Sequence, residues 1–282
     1  MPEGHTVHRL AGAFTAQFVG KRLDASSPQG RFVDGAALLD GRKLLAAEAH
    51  GKQMFLSFSD DIWLRVHLGL FGMWRFAGAG LQGYGRRPRK KTPDEAFPPP
   101  PGEAVRLRLL AGRQVADLSG PTACEVLSGP EKTVAMARLG EDPLRDDADP
   151  GKAFVKLHAS RTSLALLLMR QDIVAGIGNI YRAELLFRAG LEPHRPGRSL
   201  TESAWTGLWD DLAFLLRDGV RTGRIVTTRP DDRSRKSGAL RRDDAVYVAH
   251  RAGKPCHVCG HAVLAEPLGG RTLYWCGICQ TG

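Results

Sequence analysis

Four cysteines near the C-terminus constrain the fold of this chain more than any other feature of its sequence. They form two Cys-x2-Cys pairs separated by sixteen residues, and the four are Cys256, Cys259, Cys276 and Cys279. Each pair can present two sulfurs to one edge of a tetrahedron, which is the arrangement that a four-thiolate zinc site requires. Between the pairs, residues 263–266 and 272–275 alternate like strands, and Gly269 and Gly270 are available for the turn. The spacing therefore predicts a β-hairpin held together by one structural zinc ion.

Composition and charge narrow the class of protein. The chain has 282 residues, of which 43% are hydrophobic, and a chain of this length should form about two domains with their own cores. The formal net charge of +10 favours a polyanionic partner such as nucleic acid. No apolar run approaches the roughly 18–20 residues that cross a bilayer, and the first twenty residues lack the apolar segment of a signal peptide. We therefore expect an intracellular protein with no membrane partner, cytoplasmic and, in a bacterium, associated with the nucleoid.

This expected location also bears on the cysteines. A reducing compartment disfavours disulfides, so metal binding is the better explanation for the four C-terminal cysteines. The fifth cysteine, Cys124, stands alone and is predicted to be a core residue.

The first 120 residues contain one predicted helix followed by predicted strands. Residues 5–19 carry apolar side chains at helical spacing, with Pro2 before them and Gly20 after them, which predicts an amphipathic helix. Between residues 20 and 120, short β-like runs alternate with Gly, Asp and Pro. The predicted strands are 43–49, 53–59, 62–67, 72–76, 105–110 and 114–118. Short strands at this spacing predict a sandwich or a barrel.

From about residue 131 the apolar pattern becomes helical. The predicted helices are 153–157, 163–170, 181–189 and 202–218. Two basic segments are predicted to be loops. Residues 86–91 are expected to be a solvated loop, with contact to phosphates as the alternative. Residues 224–242 hold little that could build a core and are expected to form a mobile loop.

A glycine-rich turn separates two of the predicted helices. In residues 175–182, Gly176 and Gly178 allow the backbone to approach a ligand closely, and Asn179 stands where it can cap the next helix. Free amides at a helix N-terminus bind phosphate well, although a plain helix–helix connection also explains such a turn. Arg271, just after the paired glycines of the hairpin, also allows two interpretations. On spacing alone it is either a solubilising surface residue or a phosphate clamp.

The N-terminus has the composition of a reactive group. Removal of Met1 would expose Pro2 as a secondary amine. The pKa of an α-amino group is about 7.7–8.0, against about 10.4 for lysine, so far more of it is a free nucleophile at neutral pH. A secondary amine that attacks an aldehydic carbon gives an iminium ion, and Glu3 beside it can serve as a general acid or base. The structural alternative is a helix start with proline followed by an acidic residue.

These features occur in one order along the chain, together with two further motifs. The set comprises Pro2-Glu3-Gly4, His50-Gly51-Lys52, His67-Leu68-Gly69-Leu70-Phe71-Gly72-Met73-Trp74, the turn at 175–182 and the four-cysteine hairpin with Arg271. In this set and order the chain resembles the formamidopyrimidine-DNA glycosylase / endonuclease VIII family over essentially its whole length. The start of the chain and Phe71-Gly72-Met73-Trp74 are more similar to the endonuclease VIII branch.

The resemblance implies an α+β fold in three parts and a monomeric protein. Residues 1–125 would form an N-terminal catalytic β-sandwich led by the catalytic helix. Residues 131–222 would form a helix–two-turn–helix DNA-binding domain, and residues 243–282 the zinc β-hairpin. The implied partner is damaged DNA in duplex, bubble or single-stranded form, and the implied cofactor is one structural zinc.

The resemblance also implies catalytic roles. Pro2 would be the nucleophile at C1′ of the damaged nucleotide and would form the Schiff base. Glu3 would protonate the sugar as its ring opens. Lys52 would supply a proton or a phosphate contact during β-elimination, and Arg271 would assist δ-elimination.

A second set of residues would contact DNA. Asn179 and Arg271 would clamp the phosphates that flank the lesion, and Arg138 matches a further DNA-contacting position. Leu70 and Phe71 would fill the space left by the extruded base, because flipping a base costs a few kcal/mol that apolar side chains in the vacated stack partly offset. Without the resemblance, both would be interpreted as core residues of a hairpin.

The sequence departs from the family pattern at two places. Many relatives begin with Pro-Glu-x-Pro-Glu, whereas this chain has His5 and Thr6, so the second carboxylate at the helix start is absent. Gly69 stands where some endonuclease VIII relatives have Gln.

The expected function is a bifunctional DNA glycosylase and AP lyase of base excision repair. It would remove oxidised bases and cleave the strand by β,δ-elimination. Oxidised pyrimidines are the expected substrates, and an enzyme that prefers formamidopyrimidines is the alternative. One alternative is a zinc-containing protein that binds damaged DNA without catalysis, and the presence of both Pro2 and Glu3 favours the enzyme. A second alternative is an RNA- or ribosome-associated zinc-ribbon protein, which would leave the N-terminus and the turn at 175–182 unexplained.

Overall fold

The chain forms two compact units. The computed structural model describes residues 2–78, 97–234 and 240–282. One unit contains Pro2 and residues 6–138, and the other contains residues 3–5 and 139–282. The predicted basic loop at 86–91 lies outside the described residues, as do residues 235–239 of the second basic segment.

The first unit is an antiparallel β structure with three helices. Its helices are α1 (Gly4–Gln17), which enters this unit from Thr6 onward, α2 (Val33–Leu39) and α3 (Gly129–Ala137). Its strands are β1 (Arg22–Ser26), β2 (Arg42–His50), β3 (Gln53–Phe58), β4 (Ile62–His67), β5 (Met73–Gly78), β6 (Val105–Ala111), β7 (Gln114–Ser119) and β8 (Ala123–Ser128). Neighbouring strands follow the order β5-β7-β6-β1-β2-β3-β4-β8.

Strand β1 joins the two halves of this sheet. Arg22 and Leu23 pair with β2, whereas residues 24–26 pair with β6 on the other side. Apolar residues from both halves and from α1 share one core, and Leu23, Leu56, Leu107 and Phe14 are all fully buried in it. The predicted β-sandwich is therefore confirmed, with β1 as the strand common to its two layers.

Most predicted strands occur within one or two residues of their expected bounds, and β4 coincides with 62–67. Two strands, β1 and β8, were not predicted. In β8 buried and exposed positions do not alternate regularly, whereas β1 is a short strand of five residues that alternates exposed with buried or half-buried positions. Cys124 lies in β8 and is half-buried against the core, so its predicted core position is only partly correct. Burial raises the pKa of the Cys124 thiol to about 12, which keeps the thiol protonated.

The second unit is helical and ends in a hairpin. Its helices are α4 (Pro150–His158), α5 (Leu164–Leu167), α6 (Asn179–Arg188) and α7 (Glu202–Thr222), and its strands are β9 (Leu264–Leu268) and β10 (Arg271–Trp275). Helix α6 is buried along most of its length and packs with α4, α5 and α7 in one apolar core. None of the helices in the described ranges combines the length and the apolar character needed to cross a membrane.

Two predictions for this unit are wrong in part. The helix expected at 163–170 is the single turn α5, because the chain then bends around the side chain of Gln171, which bonds to backbone groups of Met169, Gly176 and Ile177. The segment 224–242 was expected to be a mobile loop with few residues that could join a core. Thr227 and Thr228 are nevertheless buried, since both hydroxyls donate to acceptors in the interior of the unit.

The aromatic cluster around Phe14 yields a stability prediction. Its ring lies 5.2 Å from that of Phe18, 4.8 Å from that of Trp74 and 5.4 Å from that of Phe76, and Phe14 is fully buried. Phe14→Ala should lower the free energy of unfolding by about 3–5 kcal/mol, through lost burial and the cavity left behind. Leu38→Ala, at an exposed position of α2, should change it by less than about 0.5 kcal/mol. Urea unfolding compares the two, and equal losses would contradict the assigned core.

Candidate functional site

The carboxylate of Glu3 is fully buried at the N-terminus of α6. Its Oε2 accepts the backbone N–H of Gly178 at 2.9 Å and that of Tyr181 at 3.3 Å, and its Oε1 accepts the N–H of Ile180 at 2.9 Å. These amides belong to the first turn of the helix, where no intrahelical acceptor exists and the helix dipole favours negative charge. The end of α6 therefore stabilises a negative charge on Glu3.

Glycines allow the N-terminal segment to approach this turn. The N–H of Gly4 donates to the carbonyl of Gly176 at 2.9 Å, and a Cβ added at Gly4 would lie 2.9 Å from the Cα of Gly176. A Cβ added at Gly178 would lie 2.3 Å from the Cδ of Glu3. The sequence indicated that these glycines allow the backbone to approach a ligand closely. In the structure, the group that lies against this backbone is the side chain of Glu3.

Asn179 does not cap α6, and that prediction is wrong. The N-cap is Gly178, and the helix amides are taken by the carboxylate of Glu3. The side chain of Asn179 is turned elsewhere. Its Nδ2 donates to the carbonyl of Thr272 at 2.8 Å, and its Oδ1 accepts from the guanidinium of Arg182. Asn179 thus connects α6 with the β10 strand of the hairpin.

Arg182 is a site residue that the sequence reasoning missed. It is 1% exposed, donates to Asn179 and to the carbonyl of Ala165, and is influenced by the charges of Glu3 and Arg271. Burial lowers its pKa to about 10, the negative charge of Glu3 opposes this shift, and the positive charge of Arg271 adds to it. The available signal was its spacing, three residues after Asn179 on one helix face.

Arg271 is exposed and is the first residue of β10, directly after Gly269 and Gly270. Both glycines have positive φ, at 60° and 71°, which is the backbone that a tight hairpin turn requires. The next residue, Thr272, provides the carbonyl that holds Asn179. In the second unit, the buried Arg182 is therefore bonded to Asn179 and experiences the charges of Glu3 and Arg271.

In the first unit, the positive charge of Lys52 contributes to a lowered pKa of His67. Lys52 is half-buried in the turn between β2 and β3. The pKa of His67 is lowered by burial and then by the positive charges of Lys52 and Arg65. The ring Nδ1 of His67 lies 2.6 Å from the hydroxyl of Thr122. In the sequence, His67 stands out only as part of a motif. Its electrostatic interaction with Lys52 is therefore a second feature that sequence reasoning missed.

Leu70 and Phe71 lie in the loop between β4 and β5 and are 41% and 81% exposed. The interpretation of both as core residues is therefore wrong. Gly69 has a φ of +63°, and a Cβ there would lie 2.3 Å from the Cγ2 of Thr122. This tight backbone holds two large apolar side chains at the surface.

Two predicted site residues mark the ends of the first unit. Pro2 is half-buried and precedes α1. Arg138 is exposed and is the C-cap residue of α3.

The four C-terminal cysteines converge at the base of the β9–β10 hairpin. Their sulfurs all lie within 4.8 Å of one another, with 3.9 Å between Cys256 and Cys279 and 3.4 Å between Cys259 and Cys276. Four thiolates at Zn–S distances of about 2.3 Å would be separated by roughly 3.8 Å in a tetrahedron. The donor set and its spacing therefore fit one metal ion.

Comparisons with known proteins agree with this architecture. Residues 1–118 match the formamidopyrimidine-DNA glycosylase N-terminal domain, and residues 139–231 match the formamidopyrimidine-DNA glycosylase H2TH domain. Endonuclease 8 1 of Mycobacterium tuberculosis is 41% identical over 100% of both chains. Formamidopyrimidine-DNA glycosylase of Neisseria meningitidis is 30% identical over 88% of this chain and 86% of its own.

Solved structures show the same fold. The MutM (Fpg) protein from Thermus thermophilus has a TM-score of 0.76 and 26% identity, and the match covers 99% of this chain and 98% of that one. The Lactococcus lactis Fpg in complex with DNA containing an abasic site has a TM-score of 0.76 at 21% identity, over 99% of this chain and 100% of that one. The chain belongs to the formamidopyrimidine-DNA glycosylase / endonuclease 8 family.

Proposed function

We propose that this protein is a bifunctional DNA glycosylase and AP lyase that removes oxidised bases, with oxidised pyrimidines as its preferred substrates and a preference for formamidopyrimidines as the alternative. The observation that carries the proposal is the buried Glu3 carboxylate, bound by three N–H groups of α6 and adjacent in the chain to the amine of Pro2. A buried carboxylate beside a nucleophilic amine supplies the acid and the nucleophile that the reaction needs. The relatives named above and the abasic DNA bound by the Lactococcus protein support the same substrate class.

The first step joins Pro2 to the sugar. The lone pair of the Pro2 nitrogen forms a bond to C1′ as the glycosidic bond breaks, and the departing base takes the electron pair of that bond and is protonated by solvent. The Glu3 carboxylate takes the proton that the Pro2 nitrogen loses and gives it to O4′ as the C1′–O4′ bond breaks. The nitrogen lone pair then forms the C1′=N⁺ iminium, which is the Schiff base.

The second step cleaves the strand. The iminium withdraws electrons from C2′, so loss of a C2′ proton expels the 3′ phosphate by β-elimination, and a second elimination expels the 5′ phosphate. Lys52 provides a proton or a phosphate contact during the first elimination, and Arg271 assists the second. Asn179 still has an N–H on Nδ2 besides the one given to Thr272, and it clamps a flanking phosphate together with Arg271.

The remaining predicted residues would hold the DNA. Leu70 and Phe71 are exposed apolar side chains on a constrained turn, which suits insertion into the space left by an extruded base. Arg138 is an exposed cation that can contact phosphate. The partner would be damaged duplex, bubble or single-stranded DNA.

The metal in the cysteine site would be zinc with a structural role. Zinc bound by four thiolates has no open position for chemistry, so its contribution is folding energy for a small unit. Through β9 and β10 it would fix Arg271 and the carbonyl of Thr272 that holds Asn179.

An N-terminal extension tests the nucleophile. Retaining Met1 or adding a tag converts the Pro2 nitrogen into an amide without a basic lone pair. Borohydride should trap a covalent protein–DNA adduct with the processed protein on an abasic oligonucleotide and none with the extended protein. Lys52→Ala with the native N-terminus is the control and should still be trapped. Equal trapping of tagged and untagged protein would overturn the Pro2 assignment, and absence of trapping with every form would favour a binding protein without catalysis.

A Glu3→Gln substitution separates the two activities. The amide keeps the shape of the side chain, but it cannot donate the proton required for ring opening. Base release should fall by about 10²–10⁴-fold, whereas cleavage at a preformed abasic site should persist, because its aldehyde is already open to the amine. Glu103→Gln, at an exposed position, is the matched control and should leave both rates unchanged. Unaltered base release by Glu3→Gln would contradict the role of Glu3.

Changing one thiolate tests the metal site. Cys276→Ser should abolish zinc binding and weaken DNA binding, because the hairpin that presents Arg271 loses its folding energy, while the sandwich stays folded. Cys124→Ser lies outside the cluster and should retain one zinc per chain by elemental analysis. A freshly purified wild-type protein without zinc would show that the metal assignment is wrong.

A further inference from the structure

His5 is the second residue of α1, and it is almost completely buried, at 5% exposed. It belongs to the second unit together with Glu3 and Gly4. Its ring meets the ring of Tyr181 edge-on, with centroids 5.4 Å apart and planes at 78°. This is the favourable arrangement of two aromatic rings, so the contact orients both side chains.

Tyr181 connects His5 with Glu3. The backbone N–H of Tyr181 is one of the three donors to the Glu3 carboxylate, and its hydroxyl donates to the carbonyl of Leu215 in α7 at 3.4 Å. Burial, and then the negative charges of Glu3 and Asp218, raise the pKa of Tyr181, so its phenol remains neutral and able to donate. Tyr181 is thereby held at both its backbone and its ring end.

Helix α7 has a glycine where it meets both rings. A Cβ added at Gly219 would lie 2.5 Å from the hydroxyl oxygen of Tyr181 and 2.9 Å from Cγ of His5. Glycine within a helix is less favourable than alanine. At this position, however, only glycine leaves room for the close packing of the two rings. His5 of α1, Tyr181 of α6 and Gly219 of α7 therefore pack against one another.

The segment that carries Glu3 is attached at two successive residues. Gly4 donates its N–H to Gly176, and His5 packs on Tyr181. A single attachment would let the segment rotate and would leave the orientation of Glu3 to its own hydrogen bonds. The second attachment removes that rotation.

We propose that His5 is a positioning residue for Glu3, acting through the ring of Tyr181 against Gly219. This inference rests on the proposed function, because it assigns His5 to the step that needs Glu3. His5 governs base release and is dispensable at a preformed abasic site. Its contribution is the packing of its aromatic ring.

The experiment compares His5→Ala and His5→Phe, with His8→Ala as the control at another histidine of α1. The two readouts are single-turnover release of an oxidised pyrimidine from duplex DNA and borohydride trapping on abasic DNA. His5→Ala should slow base release by about 10- to 100-fold, the scale expected for a small misplacement of a reacting group, while trapping changes less than about twofold. His5→Phe keeps an aromatic ring and should restore base release, and His8→Ala should leave both rates unchanged.

Gly219→Ala provides an independent variant, since its methyl group displaces the same two rings from the other side. It should show the same selective loss of base release. Equal loss of both activities in His5→Ala, no loss in either, or failure of His5→Phe to restore base release would each overturn the inference. Failure of the wild-type protein in both assays would instead overturn the proposed function. Failure of the inference about His5 can therefore be distinguished from failure of the proposed function.

Discussion

The contact between the Glu3 carboxylate and the amides at the start of α6 is the interaction on which the rest of the site depends. A fully buried carboxylate is unfavourable unless its charge is compensated, and here three N–H groups and the helix dipole provide that compensation. The donors are separated from Glu3 by 175 to 178 residues along the chain. Glu3 is therefore placed by a helix that lies far away in sequence.

The same helix also organises the approach to the hairpin, from a residue near its middle. Glu184 is fully buried in α6 and accepts the backbone N–H groups of Tyr247 at 2.7 Å, Val248 at 2.8 Å and Ala249 at 2.8 Å. These residues lead directly into the cysteine site. One ten-residue helix thus fixes the N-terminal segment through Glu3 and the start of the hairpin through Glu184, while its first residue, Asn179, holds β10. Two buried carboxylates, Glu3 at the start of α6 and Glu184 near its middle, therefore connect α6 with segments far away in sequence.

The sequence predicted those parts of the structure that depend on local pattern. Strand 62–67 and the cysteine hairpin follow from alternation and spacing over a few residues, and the amphipathic helix at the N-terminus follows from its apolar period. The capping position of Asn179 was predicted wrongly because capping is normally local, whereas the amides at the start of α6 are bound by Glu3. The burial of Arg182 was not predicted either, since an arginine in a helix is usually exposed and its partner Ala165 belongs to another element.

The second unit carries an unfavourable arrangement of positive charge around Arg182. The guanidinium is buried, which disfavours its charge, and it is close enough to Arg271 for repulsion to lower its pKa further. Glu3 compensates part of this cost, but its carboxylate is already bound by the amides of α6. A phosphate beside the exposed guanidinium of Arg271 would reduce the repulsion that Arg182 experiences in the protein alone. On the proposed function, binding of a phosphodiester beside Arg271 would therefore relieve part of this electrostatic cost, in the same unit that holds Glu3.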